Sequence, residues 1–172
     1  MFTAHRGKIS LYRVTDDDSM VQYDEIRGFC AGDMFTRVNL FPRTKREAEE
    51  TADQVIMQSN WENDILTAVM STYSNLKEAE YYANRRVWDG KSNVRIFEME
   101  VDERYVQCRG IRDLAKELGI WIPHKAYNHS RYEVLCEHRI PRRYITRYKQ
   151  LTDKFGSKPY PTSQIGTGTS SL

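Results

Sequence analysis

Three short segments of the 172-residue chain carry side chains suited to chemistry on a sugar or a phosphate. Arg13 lies in an apolar, strand-like run, where a fixed guanidinium can bind a phosphate through two parallel hydrogen bonds. Ser71 and Thr72 stand at the end of a second apolar run, just before a predicted helix. Glu133 begins a third run, whose apolar residues would hold its carboxylate rigidly. A carboxylate in a fixed position can stabilise positive charge that develops on a neighbouring sugar ring.

Each of these residues also has an ordinary structural explanation. An exposed Arg on a strand is common, and a Glu on an edge strand usually faces solvent. Ser and Thr are expected wherever a strand meets a helix cap. The more specific signal is the joint order of Arg13, Ser71 and Glu133, with separations of 58 and 62 residues.

This order resembles the mono-ADP-ribosyltransferases of the cholera-toxin type, over roughly residues 9 to 150. In that family an Arg, a Ser-Thr-Ser motif and a Glu hold NAD and cleave its nicotinamide–ribose bond. The tripeptide Leu11-Tyr12-Arg13 is similar to the one that carries the arginine in that family. The strand of Glu133 and the hairpin that follows it are also similar to the family's glutamate strand and closing hairpin. The resemblance implies an α+β, ADP-ribosyltransferase-like fold of two packed, mainly antiparallel sheets with flanking helices.

The resemblance also implies roles for individual residues. Glu133 would be catalytic, Ser71 would orient it, and Arg13 would brace the site and bind the phosphates of NAD. Four residues would contact NAD: Arg13, Ser71, Tyr12 and Thr72. No metal is expected, because the nearby His and Cys residues of positions 124–138 have spacings that match no common zinc site.

The chain departs from the family pattern at two positions. Tyr73 replaces the usual third Ser, which leaves the orienting hydroxyl of Ser71 in place. Arg131 stands where the family has a Glu or Gln that engages the acceptor. The segment 123–131 is predicted to be a flexible loop that meets the acceptor, with Tyr127, His129 and Arg131 as its contact residues.

The activity implied is NAD-dependent mono-ADP-ribosyl transfer, of the toxin or effector type, to a macromolecular acceptor that is either protein or nucleic acid. Two alternatives stay open because of Arg131. One is an NAD glycohydrolase, in which water takes the ribosyl group. The other is an inactive relative that binds a protein or nucleic acid through its basic and aromatic carboxy-terminal third. An antitoxin or inhibitor protein is a further partner compatible with the resemblance.

Composition sets the wider limits. The chain is long enough for one domain with a sizeable core and too short to expect two, and its net charge of +2 is too small to indicate nucleic acid by itself. No apolar run approaches the roughly 20 residues of a membrane span, and no signal peptide is visible. The three cysteines fit neither a disulfide framework nor a zinc ribbon. They suit a reducing compartment, so the predicted location is the cytoplasm, of the producer or of a target cell after delivery.

The hydrophobic patterns predict the elements that must position these residues. Alternation predicts strands over 9–14, 67–72, 93–101, 132–138 and 144–148, and a helical period predicts helices over 44–59, 75–88 and 111–118. The acidic turn at 16–19 predicts a short helix through Ile26, closed by Gly28. Residues 1–152 are predicted to form the domain, and residues 153–172, which lack apolar periodicity, a flexible tail.

Overall fold

The computed structural model describes residues 7–60, 65–151 and 163–164. Within these ranges the strands are β1 Lys8–Thr15, β2 Tyr23–Asp24, β3 Gly28–Cys30, β4 Val69–Tyr73, β5 Arg95–Asp102, β6 Cys108–Gly110, β7 Glu133–Glu137, β8 Arg139–Ile140, β9 Ile145–Gln150 and β10 Ser163–Gln164. The α-helices are α1 Lys45–Ser59, α2 Leu76–Trp88, α3 Ile111–Leu118 and α4 His124–His129.

The strands form two antiparallel sheets. The larger has seven strands in the order β10-β9-β5-β1-β4-β7-β6, and the smaller has the order β2-β3-β8. The predicted α+β fold of two mainly antiparallel sheets with flanking helices is confirmed. The order β1-β4-β7 puts three strands from distant parts of the chain side by side.

A shared core joins the two sheets. Phe29 of the small sheet meets Phe97 of the large sheet edge to face, with ring centroids 5.0 Å apart. Both rings are fully buried, together with Leu11 and Met70 from the neighbouring strands. Burial of this apolar surface is the main stabilising contribution, and it fixes the small sheet against the middle of the large one.

Local capping explains where the two long helices begin. The hydroxyl of Thr44 accepts a hydrogen bond from the backbone N–H of Glu47, whose carboxylate accepts one from the N–H of Thr44 in return. This capping box starts α1 at the predicted place. The side chain of Asn75 caps α2 in the same way, by accepting from the N–H groups of Lys77 and Glu78.

Two local predictions are wrong, one of a short helix after residue 16 and one of a flexible loop before strand β7. The helix predicted to run through Ile26 is a β2–β3 hairpin instead. A carboxylate oxygen of Asp24 accepts hydrogen bonds from the N–H groups of Ile26 and Arg27, which closes a tight turn. Gly28 does adopt a positive φ of 84°, but it begins a strand, and a Cβ there would lie 2.3 Å from the carbonyl oxygen of Ile140.

The segment 123–131, predicted as a flexible loop, contains helix α4. Arg112 of α3 holds this segment by donating hydrogen bonds to the hydroxyl of Ser130, at 2.9 Å, and to the carbonyl oxygen of Tyr127, at 2.6 Å. A contact between elements, which no local pattern reveals, therefore orders it.

The predicted tail, residues 153–172, lies outside the described residues except for Ser163 and Gln164. These two pair with Tyr148 and Arg147 of β9. The boundary of the domain at residue 152 stays a prediction. Among the described residues, no helix has both the length and the apolar character that crossing a membrane requires.

Candidate functional site

The strand order brings the three predicted site residues together. Arg13 is on β1, Ser71 on β4 and Glu133 at the first position of β7. In the β4–β7 register Tyr73 lies opposite Glu133, so Ser71 is one step away on the same face of the sheet. The site is therefore built on rigid strands rather than on loops.

Two hydrogen bonds link these residues. Nη1 of Arg13 donates to the carbonyl oxygen of Ser71 at 2.7 Å, and Oγ of Ser71 donates to Oε1 of Glu133 at 2.6 Å. Arg13 and Glu133 are only 9% and 6% exposed. A buried charge must be paired or hydrogen-bonded to be tolerated, and a buried arrangement of this kind is typical of functional sites.

These residues line a cavity of about 330 Å³. That volume lies within the range of small-molecule sites. The same cavity is lined by Tyr73 and by side chains that the sequence did not single out, among them Gln58, Tyr82 and Arg86. It therefore combines two guanidinium groups, a carboxylate and two phenol rings.

Gln58, on helix α1, fixes the direction of the Ser71 hydroxyl. Its Nε2 donates to Oγ of Ser71 at 2.9 Å, and its Oε1 accepts from the hydroxyl of Thr67 at 2.5 Å. Because Ser71 accepts from Gln58, its own proton is free to point at Glu133. The signal that could have revealed Gln58 is a polar stripe on the core-facing side of α1, which also includes the buried Thr51 and Gln54.

Arg86, on helix α2, brings a second guanidinium to the cavity. Its Nη1 donates to a carboxylate oxygen of Asp16 at 2.6 Å and to the hydroxyl of Ser19 at 3.3 Å. The side chain of Asp16 is 1% exposed and that of Arg86 34%, so the buried carboxylate holds a cation that still reaches the cavity. The signal that could have revealed Arg86 is the helical period of α2, which places Arg86 beside the buried face of Ala79 and Ala83 and leaves Arg85 exposed.

Arg13 carries unused hydrogen-bonding capacity. Its Nε is buried and has no hydrogen-bond partner within the described part of the chain. Burial, and then the nearby charge of Arg86, lower the pKa of Arg13 to about 10, so it is still a cation at neutral pH. A buried cation with an unpaired donor is suited to bind an anionic group of a ligand.

Burial has the opposite effect on the acids of the cavity. It raises the pKa of Glu133, and the hydrogen bond from Ser71 offsets part of that rise. Burial also raises the pKa of Tyr73 and Tyr82, whose rings lie 5.2 Å apart, so both phenols are neutral at physiological pH. The carboxylate of Glu133 therefore gains stability from any cation that enters the cavity.

Two predicted NAD-binding residues do not line this cavity. Thr72 is fully buried, and its hydroxyl donates to the carbonyl oxygen of Val134 at 2.8 Å. Successive side chains of a strand point to opposite faces, so Thr72 must face away from Ser71. Tyr12 lies opposite Tyr73 in the β1–β4 register, on the face of the sheet that carries Ser71, and packs against the cluster that Tyr73 forms with Ala79 and Ala83 of α2. Thr72 can therefore support the site only through its framework, whereas Tyr12 packs against the cluster that contains Tyr73 of the cavity lining.

The three predicted acceptor-contact residues also lie outside the cavity lining. His129 comes closest, because its ring meets the ring of Tyr82 edge to face at 5.5 Å. Tyr127 lies under the guanidinium of Arg112, 4.2 Å from it, and Arg131 is exposed beside the ring of Tyr132. Their contact with an acceptor stays a prediction.

The site can hold a cationic group of a ligand next to the carboxylate of Glu133 and an anionic group of the same ligand next to the guanidinium groups of Arg13 and Arg86. Within the described ranges, no cluster of three or more His, Cys, Asp or Glu residues could hold a metal ion. The described side chains therefore offer electrostatic stabilisation and hydrogen bonding by Glu133, Ser71 and the two arginines.

Residues 8–153 match the model of DUF7587, a domain of unknown function. The chain belongs to the DUF7587 family. Among solved structures, this DUF7587 domain is similar to EcPltA, with a TM-score of 0.62 and 15% sequence identity over 92% of this chain and 86% of that chain. At this identity the likeness extends to the fold alone. A comparison with curated proteins finds no match.

Proposed function

We propose that this DUF7587 domain is an NAD-dependent mono-ADP-ribosyltransferase. The observation that carries the proposal is the 2.6 Å hydrogen bond from Ser71 to Glu133, in a cavity that Arg13 also lines. This is the set of residues that the resemblance to cholera-toxin-type transferases assigns to catalysis. The activity would cleave the bond between nicotinamide and ribose and transfer ADP-ribose to a macromolecular acceptor, protein or nucleic acid.

In this proposal the arginines bind the substrate NAD. Its diphosphate carries negative charge, which suits the guanidinium groups of Arg13 and Arg86 that line the cavity. The nicotinamide ring carries a positive charge in NAD and is the part that Glu133 attracts. The cation also favours the ionised form of Glu133, against the burial that raises its pKa.

The proposed reaction needs little from the protein beyond positioned charge. The C1′–N bond breaks, and its electron pair leaves on the nicotinamide nitrogen. The positive charge that develops on the ribose ring is stabilised by the carboxylate of Glu133, which Ser71 holds in place. An oxygen or nitrogen of the acceptor then bonds to C1′ and releases its proton.

A second candidate is an NAD glycohydrolase, in which water takes the place of the acceptor. The observation that favours it is Arg131, an exposed cation two residues before Glu133, where related transferases have an acidic or amide group. A positive charge at this point disfavours a cationic acceptor. It leaves an anionic acceptor, such as nucleic acid, or water.

Incubation with NAD labelled in its adenylate half tests both candidates. The chain is mixed with a protein lysate and, separately, with total nucleic acid. Label on a macromolecule supports transfer, and free nicotinamide with unattached labelled ADP-ribose supports the glycohydrolase. If neither appears at millimolar NAD, both proposals are overturned.

Replacing Glu133 with Gln connects the activity to this site. The substitution keeps the size and most of the hydrogen bonding but removes the charge, so nicotinamide release should fall about 100- to 1000-fold. NAD should still raise the melting temperature of this variant, since the phosphates are held by other residues. Glu100→Gln, an exposed change on strand β5, is the matched control and should release nicotinamide at the normal rate.

A further inference from the structure

Cys108 and Cys136 form a pair of buried thiols outside the cavity. They lie directly opposite each other on strands β6 and β7, and their sulfur atoms are 2.9 Å apart. Their residues are 4% and 0% exposed. Cys30, the other cysteine of the chain, is half-buried on strand β3.

The backbone at this pair has the spacing that a disulfide requires. The N–H of Glu137 donates to the carbonyl oxygen of Gln107 at 3.1 Å, so the pair 107 and 137 occupies a hydrogen-bonded position of the ladder. The next pair, Cys108 and Cys136, then falls at a non-hydrogen-bonded position, where Cα atoms are about 4.5 Å apart. Disulfides span Cα separations of roughly 4.4 to 6.8 Å, so the bond can form without movement of the strands.

We propose that Cys108 and Cys136 are an oxidative modification site, a dithiol that hydrogen peroxide or a similar two-electron oxidant converts to a cross-strand disulfide. One thiol is oxidised to a sulfenic acid as the O–O bond of the peroxide breaks, which releases one water. The second thiol then attacks that sulfur, the S–S bond forms and a second water leaves. Two electrons and two protons thus pass from the dithiol to the peroxide.

Access to this site depends on opening of the sheet edge. Strand β6 has three residues and is the outermost strand beside β7. The hydrogen bond with the thiol of Cys136, and then burial, raise the pKa of Cys108, which disfavours the reactive thiolate in the closed state. Oxidation should therefore be slow in the native protein and faster at mildly denaturing urea concentrations.

The disulfide would connect the edge strand to the strand that carries Glu133. The loop that it closes contains helices α3 and α4. Closure of a loop restricts the unfolded chain, so the oxidised protein should melt several degrees higher than the reduced protein. The sulfur of Cys136 lies 3.7 Å from the hydroxyl of Thr72, on the face of the sheet away from Ser71.

The test uses the full chain carrying Cys30→Ser, reduced and then exposed to hydrogen peroxide. Intact mass should fall by the mass of two hydrogen atoms in the monomer, and alkylation after denaturation should label no thiol where the reduced sample labels both. Digestion without reductant should recover the two cysteine peptides joined. Reductant should restore both the mass and the lower melting temperature.

Two single variants serve as controls. With Cys108→Ser or Cys136→Ser in the same background, the mass loss and the rise in melting temperature should both disappear. If one of these variants does not fold, the peptide map of the parent still decides. A gain of oxygen atoms on either thiol, a disulfide-linked dimer, or two thiols still free after peroxide in mild urea would overturn the proposal.

Discussion

The hydroxyl of Ser71 donates a 2.6 Å hydrogen bond to the carboxylate of Glu133, across 62 residues of sequence. The same oxygen accepts a hydrogen bond from Gln58. The direction of the hydroxyl is thereby fixed, and its proton points at the carboxylate. This hydrogen bond holds the carboxylate in position and offsets part of the rise that burial causes in the pKa of Glu133, so the proposed site can be tested through it.

Ser71→Ala should shift the pH dependence of NAD cleavage. The hydrogen bond from Ser71 lowers the pKa of Glu133, against the larger effect of burial that raises it. Its loss raises that pKa further. In the proposed mechanism the ionised form of Glu133 is the active one, so activity should be lost as pH falls through that pKa, and the acidic limb of kcat/KM should move to higher pH. Nicotinamide release measured across the acidic range checks this.

Ser74→Ala is the matched control for that experiment. Its hydroxyl donates to the carbonyl oxygen of Tyr132 at 3.3 Å and does not bond to Glu133. The pH profile of this variant should follow that of the parent. An unshifted acidic limb in Ser71→Ala would show that the hydroxyl does not control the charge of Glu133.

Glu133→Gln should raise the melting temperature at neutral pH although it removes activity. The pKa of Glu133 is higher in the folded chain than its ordinary value, so the folded state binds the proton more tightly than the unfolded state. The stabilisation from this group is present at low pH and is lost as pH rises through the raised pKa. Gln has no such dependence, so the difference between variant and parent should grow from acidic to neutral pH. A constant difference across this range would contradict it.

Gln58→Ala should lower turnover with a smaller effect on NAD binding. Loss of one hydrogen bond costs roughly 0.5–1.5 kcal/mol, which corresponds to a few-fold to about tenfold in rate. The substitution frees Ser71 to point elsewhere, so the acidic limb should also move toward higher pH. Steady-state kinetics and the NAD-induced shift in melting temperature separate the two effects. Asp53→Asn, an exposed change on the same helix, should alter neither.

Arg86→Gln should weaken NAD binding and lower stability together. It removes the cation that donates to the buried Asp16 at 2.6 Å, although Ser19 and the N–H of Asp18 still donate to that carboxylate. We expect a loss of roughly 1–3 kcal/mol in the free energy of unfolding. Urea titrations with and without NAD measure both effects. Arg85→Gln, on the exposed side of the same helix, should leave both values unchanged.

The sequence by itself determined the elements that repeat a hydrophobic period. Helices α1, α2 and α3 and strands β1, β4, β5, β7 and β9 follow apolar patterns that only a buried face explains. The sequence also shows the order of Arg13, Ser71 and Glu133 along the chain, because each of the three lies in or beside an apolar run that predicts a strand. Strands β3 and β8 were not predictable in this way, since with two or three residues each they are too short for a period.

Only the tertiary structure decided which side chains meet. The strand order β1-β4-β7 brings Arg13, Ser71 and Glu133 into one cavity, and this order depends on pairing between distant segments. The choice of Ser71 over Thr72 as the residue facing Glu133 depends on strand register. Gln58 and Arg86 join the site because helices α1 and α2 pack beside it, and their hydrogen bonds to Ser71 and Asp16 form between elements rather than within them. The hydrophobic period of a segment predicts its secondary structure and its buried face. The contacts of the site form between segments that are distant in sequence, so no single segment predicts them.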